Sequence, residues 1–250
     1  MIKVFIFIIG LLFGSFLLVL GIRLPIKKNV LTDRSRCDEC HKVLPWYCLI
    51  PIFSYVFQKG KCIYCHNKIS ILNPIMELSC AILFLIGYNL YGFSYDFISY
   101  IIVVSLMLVT FVSDFKYMII EDATLIVTFI LIAIIKFIQG GIQQVGLCIV
   151  SGIALFLFMY VVGYIGKCVF KRESLGGGDI KLAGLIGFIV GYKLGLCVLI
   201  VSVFLALPYS VASMYLTKNH EVAYGPFLIG ALFIVFVFSY KFINLLNLFF

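Results

Sequence analysis

The sequence predicts an all-α protein that crosses a membrane about eight times. Hydrophobic residues make up 64% of the 250 residues and charged residues only 12%, which leaves too few polar side chains to cover the surface of a soluble domain. The mean hydropathy is +1.18. The apolar residues form long continuous runs, whereas the strands of a membrane barrel alternate apolar and polar residues.

Eight apolar segments approach the roughly 20 residues that a membrane-spanning helix needs. The N-terminal run is too long for the core of a signal peptide, and no small-residue cleavage site follows it, so we expect it to remain as the first helix. The sixth segment is short and rich in glycine, and we expect a tilted, broken or partly interfacial helix there. The predicted helices cover residues 2–22, 74–92, 96–113, 122–139, 145–165, 179–191, 194–215 and 223–246.

The basic residues are distributed unevenly along the chain. Fifteen of the 19 Lys and Arg residues fall in the four loops that share one side if eight helices alternate in direction, when Lys181 at the start of the sixth helix is counted with its loop. Because basic residues accumulate in cytoplasmic loops, we expect these loops in the cytoplasm and both termini outside. The same bias explains the net charge of +8, so we expect membrane lipid, and no nucleic acid, as the partner of the basic residues.

The longest of these loops, residues 23–73, has the spacing of a metal site. Its pattern is C-x2-C-x21-C-x2-C, formed by Cys37, Cys40, Cys62 and Cys65. Two such pairs can place four thiolates tetrahedrally around Zn²⁺. The alternatives are a redox-active or unligated pair of thiols, or a ligand from His41 or His66. We expect the aromatic segment between the two pairs to rest at the membrane interface, where Trp and Tyr are favoured.

Two aspartates stand at the edges of apolar runs, where a carboxylate is costly. Asp114 ends the predicted third helix and Asp179 begins the sixth, so the predicted topology places both on the cytoplasmic side. Two carboxylates that share a proton can supply the acid and the base of a hydrolytic site. They titrate as a pair, and neither is assigned as the acid. The simpler explanations are a helix N-cap for Asp179 and an ion pair with Lys116 for Asp114.

Three glycines precede Asp179 in the motif SLGGGDIKLAG. Glycine has no side chain and adopts backbone angles that other residues avoid, so a substrate backbone could approach Asp179 closely at this point. Lys181 adds a polar group to the same motif. The candidate positions for substrate access are Gly176, Gly177, Gly178 and Lys181.

In combination, these segments resemble the type IV prepilin peptidases, a family of GxGD-type aspartic proteases of membranes. The motifs GSFLLVLGIRLP, the cysteine loop, the segment from Asp114, GGGDIKLAG and YGPFLIGA follow the order of the family over nearly the whole chain. The resemblance implies an enzyme of the bacterial inner membrane that cuts the leader from type IV prepilin or pseudopilin precursors on the cytoplasmic side. It further implies methylation of the new N-terminal amine by S-adenosylmethionine, with Asp114 and Asp179 as the catalytic pair and the four cysteines as zinc ligands.

The resemblance also implies a role for one further residue and a division of the chain into three parts. Glu77 is a candidate for methyl transfer, the alternative being a simple interfacial carboxylate. Leu18 and Cys48 stand where the family has Asn and Asp, so the pattern predicts proteolysis more firmly than methylation. The assigned parts are a first helix at 1–22, a zinc loop associated with methyl transfer at 23–73 and a peptidase core at 74–250.

Two other classes of function fit the same composition. One is a non-catalytic membrane transporter or assembly scaffold whose zinc-ribbon loop docks a partner, since carboxylates within membranes often mark ion paths. The sequence shows no inverted repeat of broken helices to support a transporter. The other is a thiol oxidoreductase that uses the CxxC pairs, which would remain active when zinc is chelated.

Overall fold

A computed structural model describes residues 1–30, 34–171, 175–216 and 223–249. Parts of the loops that carry the predicted cytoplasmic charge, residues 31–33, 172–174 and 217–222, lie outside the described residues. Within the described ranges the chain is helical, and its only β-pairings are two isolated bridges in the cysteine loop. The predicted all-α class is therefore confirmed. The chain divides into two compact units, Met1–Val112 and Ser113–Phe250.

Several of the helices are suited to cross a membrane. Five are long and apolar enough, or six if the bent pair formed by the last two counts as one span. A multi-pass protein is thus confirmed, whereas the predicted number of eight spans is not. In the described residues the helices are α1 (Ile2–Arg23), α2 (Phe53–Phe57), α3 (Leu72–Tyr91), α4 (Tyr95–Tyr117), α5 (Asp122–Phe170), α6 (Gly177–Val190), α7 (Tyr192–Leu216), α8 (Gly225–Val237) and α9 (Ser239–Phe249).

The longest helix, α5, reverses its direction at Gly140 and Gly141. Gly141 has a φ of +65°, a conformation that favours glycine. The first arm of α5 runs parallel to α6 and the second arm runs antiparallel to it, so the two arms correspond to the predicted fourth and fifth helices. The contacts that establish these directions are Lys181 with Asp122 and Phe188 with Phe129 on the first arm, and Ile180 with Gly163 and Gly187 with Gly152 on the second.

The predicted single helix over 223–246 is wrong. The structure has two shorter helices there, α8 and α9, which meet at an angle of 81°. Neither glycine nor proline marks the bend at Phe238, and the available signal is the change from an apolar α8 to an α9 that contains Ser239, Lys241, Asn244 and Asn247. The start of α6 also differs from the prediction, because the helix begins at Gly177, two residues before Asp179.

In the first unit, α1 and α3 pack with their backbones in close approach. A Cβ atom on Gly10 would lie 2.5 Å from Cα of Ala81, and one on Gly14 would lie 2.7 Å from Cα of Glu77. Side chains at these two positions would force the helices apart, which is why small residues occur at such membrane-helix contacts. The Gly14 contact fixes Glu77 against α1.

Candidate active site

The structure brings Asp114 and Asp179 together within the second unit. Asp114 lies in the last turns of α4 and is 5% exposed, and Asp179 lies in the first turn of α6 and is 9% exposed. The carboxylates are near enough for the charge of Asp114 to act on Asp179. Two buried carboxylates that act on each other's charge cannot both ionise freely, so ionisation of one disfavours ionisation of the other.

The start of a helix contacts each of the two carboxylates. The Asp114 carboxylate accepts a hydrogen bond from the backbone N–H of Gly225, the first residue of α8. The Asp179 carboxylate accepts one from the backbone N–H of Gly176, the N-cap residue of α6. Negative charge is favoured at helix N-termini because unpaired N–H groups and the helix dipole point towards it. Two helix N-termini therefore stabilise the charge of this site.

Glycines line the carboxylates because side chains would not fit there. A Cβ atom on Gly225 would lie 2.6 Å from Oδ2 of Asp114, and one on Gly176 would lie 3.0 Å from Oδ2 of Asp179. Ile120 packs against Gly225 and Gly178, and its side chain would lie 2.9 Å from a Cβ atom on Gly225 and 3.0 Å from one on Gly178. The site is thus closed on the side of Ile120.

Gly177 marks the open side of the site. Nothing lies within 4 Å of the position that its Cβ atom would occupy, and the backbone of Gly176 and Gly177 is exposed. Of the three glycines predicted to give access, Gly177 has open space around it, whereas Gly178 is in contact with Ile120. An extended chain would therefore approach along Gly176 and Gly177.

The simpler explanations for the two aspartates are only partly realised. Asp179 is the third residue of α6 and not its N-cap, although its carboxylate reaches back to the N-cap N–H, as in one half of a capping box. The ammonium of Lys116 lies 5.4 Å from the centroid of the Tyr117 ring, and among the described residues no ion pair joins it to Asp114. Capping thus accounts for part of the role of Asp179.

Lys181 lies away from the carboxylate pair. Its ammonium forms an ion pair with both carboxylate oxygens of Asp122, at 2.7 and 2.8 Å. Residues two apart on a helix point about 200° from each other, so Lys181 faces α5 while Asp179 faces α4 and α8. The ion pair stands at the edge of an apolar groove of about 560 Å³ between α5 and α6. Lys181 therefore attaches α6 to α5.

Tyr224 and Ser202 belong to the surroundings of the site, although the sequence pattern predicts a role for neither of them. The Tyr224 hydroxyl is hydrogen-bonded to the hydroxyl of Ser202, which is fully buried. The Tyr224 side chain is also close enough to Asp179 to feel its charge. The motif YGPFLIGA is the sequence signal that indicates Tyr224, because it contains this residue together with Gly225, the first residue of α8.

The four predicted metal ligands converge in the first unit. The Sγ atoms of Cys37, Cys40, Cys62 and Cys65 all lie within 4.8 Å of one another. The distance between Sγ of Cys37 and Sγ of Cys65 is 3.7 Å, close to the ~3.8 Å edge of a tetrahedron with metal–sulfur bonds of ~2.3 Å. Donor number, donor type and spacing therefore fit a metal ion that prefers four thiolates.

The two cysteine pairs form the same turn. His41 donates its backbone N–H to the carbonyl of Cys37, and His66 donates to the carbonyl of Cys62, both at 3.0 Å. Both histidines have a φ of +56°, so each closes a turn through its backbone. Their imidazoles are not part of the sulfur cluster. The alternative of a histidine ligand is thus not supported by the described residues.

Backbone amides prepare one of these thiols for metal binding. The N–H groups of Cys65 and Tyr64 point at the sulfur of Cys62 and lower the pKa of this thiol to about 7. A lower pKa increases the fraction of thiolate, which is the form that binds a metal ion. The pKa of the Cys65 thiol is raised to about 11, because its hydrogen bond from the backbone of Asn67 is outweighed by burial and the neighbouring thiols. The loop therefore favours the thiolate form at Cys62 and not at Cys65.

Glu77 is buried where α1, α3 and the cysteine loop meet. Its side chain is 7% exposed. The carboxylate accepts a hydrogen bond of 2.7 Å from the backbone N–H of Ile52 and another from the hydroxyl of Ser15. The two bonds link α3 to the cysteine loop and to α1. Glu77 therefore has a structural role in the first unit.

Comparison with known proteins identifies the family. The description "Bacterial Peptidase A24 N-terminal domain" matches residues 8–91, and "Type IV leader peptidase family" matches residues 101–211. The chain is 32% identical over 223 residues to a prepilin leader peptidase/N-methyltransferase of Bacillus subtilis, covering 88% of each chain. It is 34% identical over 197 residues to a protein of the same name from Vibrio cholerae, covering 74% of this chain and 76% of the relative. No solved structure matches the chain. The chain belongs to the type IV leader peptidase family.

Proposed function

We propose that this protein is a membrane aspartic peptidase that removes the leader from type IV prepilin or pseudopilin precursors, with Asp114 and Asp179 as its catalytic pair. The observation that carries the proposal is the convergence of these two buried carboxylates beside an exposed glycine backbone. The names of the relatives supply the class of substrate. The peptidase core is assigned to residues 74–250.

The arrangement supports hydrolysis by a carboxylate pair. One aspartate, in its ionised form, takes a proton from a water molecule, and the other, in its protonated form, donates a proton to the carbonyl oxygen of the scissile peptide. The two groups share one proton, so the roles belong to the pair and not to either residue. The exposed backbone of Gly176 and Gly177 provides the surface along which an extended precursor segment can lie.

Replacing either aspartate by asparagine tests the proposal. Asparagine keeps the shape of the side chain but cannot exchange a proton, so we expect Asp114→Asn and Asp179→Asn each to reduce leader cleavage by about 10²–10⁴-fold or more. The measurement is cleavage of a precursor in membranes that contain equal amounts of each variant. The matched control is Asp96→Asn, because Asp96 is exposed at the other end of α4, about 27 Å from Asp114. Full cleavage by either active-site variant would refute the assignment.

We infer that the four cysteines bind one Zn²⁺ and that the loop at 23–73 is a zinc-stapled module associated with methyl transfer. Zinc favours tetrahedral thiolate sites, and the sulfur cluster has this arrangement. Metal analysis of the purified protein should give about one zinc per chain. A folded protein that contains no metal would contradict the inference.

The second proposed activity is methylation of the new N-terminal amine, with S-adenosylmethionine as the methyl donor. The support is the N-methyltransferase in the names of the relatives, and Glu77 is the candidate residue in the loop region. Incubating enzyme and precursor with and without S-adenosylmethionine, followed by mass measurement of the mature N-terminus, tests it. We expect the mass of one methyl group only when the donor is present.

The proposed orientation places the zinc loop and the carboxylate pair in the cytoplasm and both termini outside, in the bacterial inner membrane. It rests on the excess of Lys and Arg in four loops. Labelling single cysteines introduced at Lys28 and Tyr240 with a membrane-impermeant reagent in intact cells tests it. Labelling is expected at Tyr240, and labelling at Lys28 would reverse the orientation.

A further inference from the structure

The segment between the two cysteine pairs, residues 45–57, exposes an aromatic face outside the membrane-spanning helices. Trp46 is 76% exposed and Phe57 is 83% exposed, while Cys48 and Pro51 of the same segment are buried. The segment therefore has an inner side and an outer, apolar side. Its exposed large apolar residues are Trp46, Tyr47, Leu49, Ile50, Phe53, Val56 and Phe57.

A hydrogen bond fixes the position of this segment relative to a membrane span. The backbone N–H of Ile52 donates to the Glu77 carboxylate at 2.7 Å. Glu77 is the sixth residue of α3, a candidate span, and five residues of helix rise about 8 Å. The middle of the segment therefore lies level with the second turn of a span and not beyond its end.

The backbone of the segment is shaped to make this contact. Ile52 has a φ of +61° and a ψ of −52°, and the N–H of Phe53 donates to the carbonyl of Pro51 at 2.6 Å. This tight turn with positive φ is unusual for a β-branched residue. The turn points the Ile52 N–H inwards at Glu77 and leaves the Phe53 side chain on the outer face.

The charges around the segment indicate what covers the aromatic face. Three exposed lysines flank it, Lys42 before it and Lys59 and Lys61 after it. Aromatic residues with Lys or Arg beside them are favoured at the surface of membranes that contain anionic lipids. A lipid surface therefore matches both the apolar face and its basic border.

We propose that residues 45–57 form an interfacial anchor that inserts into the surface of a bilayer containing anionic phospholipid, and that Glu77 is the positioning residue that holds the anchor at this depth. The anchor keeps the cysteine cluster close to the bilayer. Its test needs no leader cleavage, so it stands or falls separately from the peptidase assignment.

Trp46 allows a direct test because it is the single tryptophan of the chain. The full-length protein is placed in bilayers of phosphatidylglycerol and phosphatidylcholine, with bromine near the top of the acyl chains. We expect roughly half or more of the Trp46 emission to be quenched, because an interfacial anchor reaches ~5–10 Å into this region. Quenching by aqueous acrylamide together with no quenching by bromine would overturn the proposal. Shielding of Trp46 only after a precursor peptide is added would also overturn it, in favour of a precursor-binding surface.

Variants of Glu77 test the positioning role. Glu77→Leu removes the acceptor, and we expect it to lose most of the bromine quenching while it retains bound metal. Glu77→Gln keeps an acceptor oxygen and should retain the quenching. Unchanged quenching in a metal-containing Glu77→Leu protein would contradict the role of Glu77. If this variant does not fold, the double variant Phe53→Ser with Phe57→Ser removes apolar surface from the anchor instead. Unchanged quenching of Trp46 in the double variant would contradict the anchor itself.

Discussion

At the scale of single residues, the candidate site depends on backbone groups as much as on its two aspartates. The sequence identifies Asp114 and Asp179 because a carboxylate at the edge of an apolar run is conspicuous. It does not reveal that the N–H groups of Gly225 and Gly176 contact them, since every residue except proline has an N–H. Contacts of this kind are determined by where helices begin in space.

The close approach of Gly225 to Asp114 gives a residue-scale prediction. In Gly225→Ala the new Cβ atom would lie 2.6 Å from Oδ2 of Asp114, so either the carboxylate or the start of α8 must move. A displacement of about 1 Å at a reacting group can reduce the rate by about 10²-fold, and we expect a loss of this size in leader cleavage. Gly146→Ala is the matched control, because nothing lies within 4 Å of its Cβ position. Equal cleavage by both variants would show that the contact does not constrain the carboxylate.

At the scale of helices, the sequence predicts α1, α3 and α4 well and the later helices less well. The bounds of these three helices agree to within a few residues, because a long charged loop separates α1 from α3 and a short turn with Gly92 and Ser94 separates α3 from α4. The reversal in α5 lies at Gly140 and Gly141, and glycine signals it. The composition changes at the bend between α8 and α9, because α8 is apolar throughout whereas α9 contains Ser239, Lys241, Asn244 and Asn247.

The packing of α5 against α6 gives a prediction at this scale. A Cβ atom on Gly187 would lie 2.6 Å from the carbonyl oxygen of Ser151 and 3.0 Å from Cα of Gly152. Gly187→Ala should therefore separate the helices and destabilise the fold by about 1–3 kcal/mol, as overpacking does elsewhere. The measurement is the thermal unfolding midpoint in detergent, again with Gly146→Ala as the control. An unchanged midpoint would mean that α6 can move away from α5 without loss of stability.

At the scale of the whole molecule, the carboxylate pair and the cysteine cluster belong to different compact units. Asp114, Asp179 and the starts of α6 and α8 lie in Ser113–Phe250, whereas the four cysteines and Glu77 lie in Met1–Val112. The CxxC spacing predicts the cluster because it closes two local turns. The meeting of the aspartates follows from helix packing between distant parts of the chain, and the sequence predicts it through the distribution of charge and the resemblance of its motifs to the prepilin peptidases.

Metal removal gives a prediction at this scale. A metal bound to all four cysteines closes the loop between Cys37 and Cys65, and structural zinc sites contribute directly to folding. Treating the membrane-reconstituted protein with a strong chelator should make the segment between these cysteines sensitive to protease, while the helices of the second unit stay intact. The fragments can be identified by mass spectrometry. Protection that persists after complete metal loss would show that the loop folds without the ion.

The amide of Gly225 ties the course of a catalytic cycle to the anchoring of a helix. Hydrolysis by a shared-proton pair requires Asp114 to gain and lose a proton, and a neutral carboxyl group attracts the positive start of α8 less than a carboxylate does. In the proposed mechanism, protonation of Asp114 therefore weakens the contact between its carboxylate and the start of α8. The first residues of α8 are thus coupled to the protonation state of the proposed catalytic pair through this one contact.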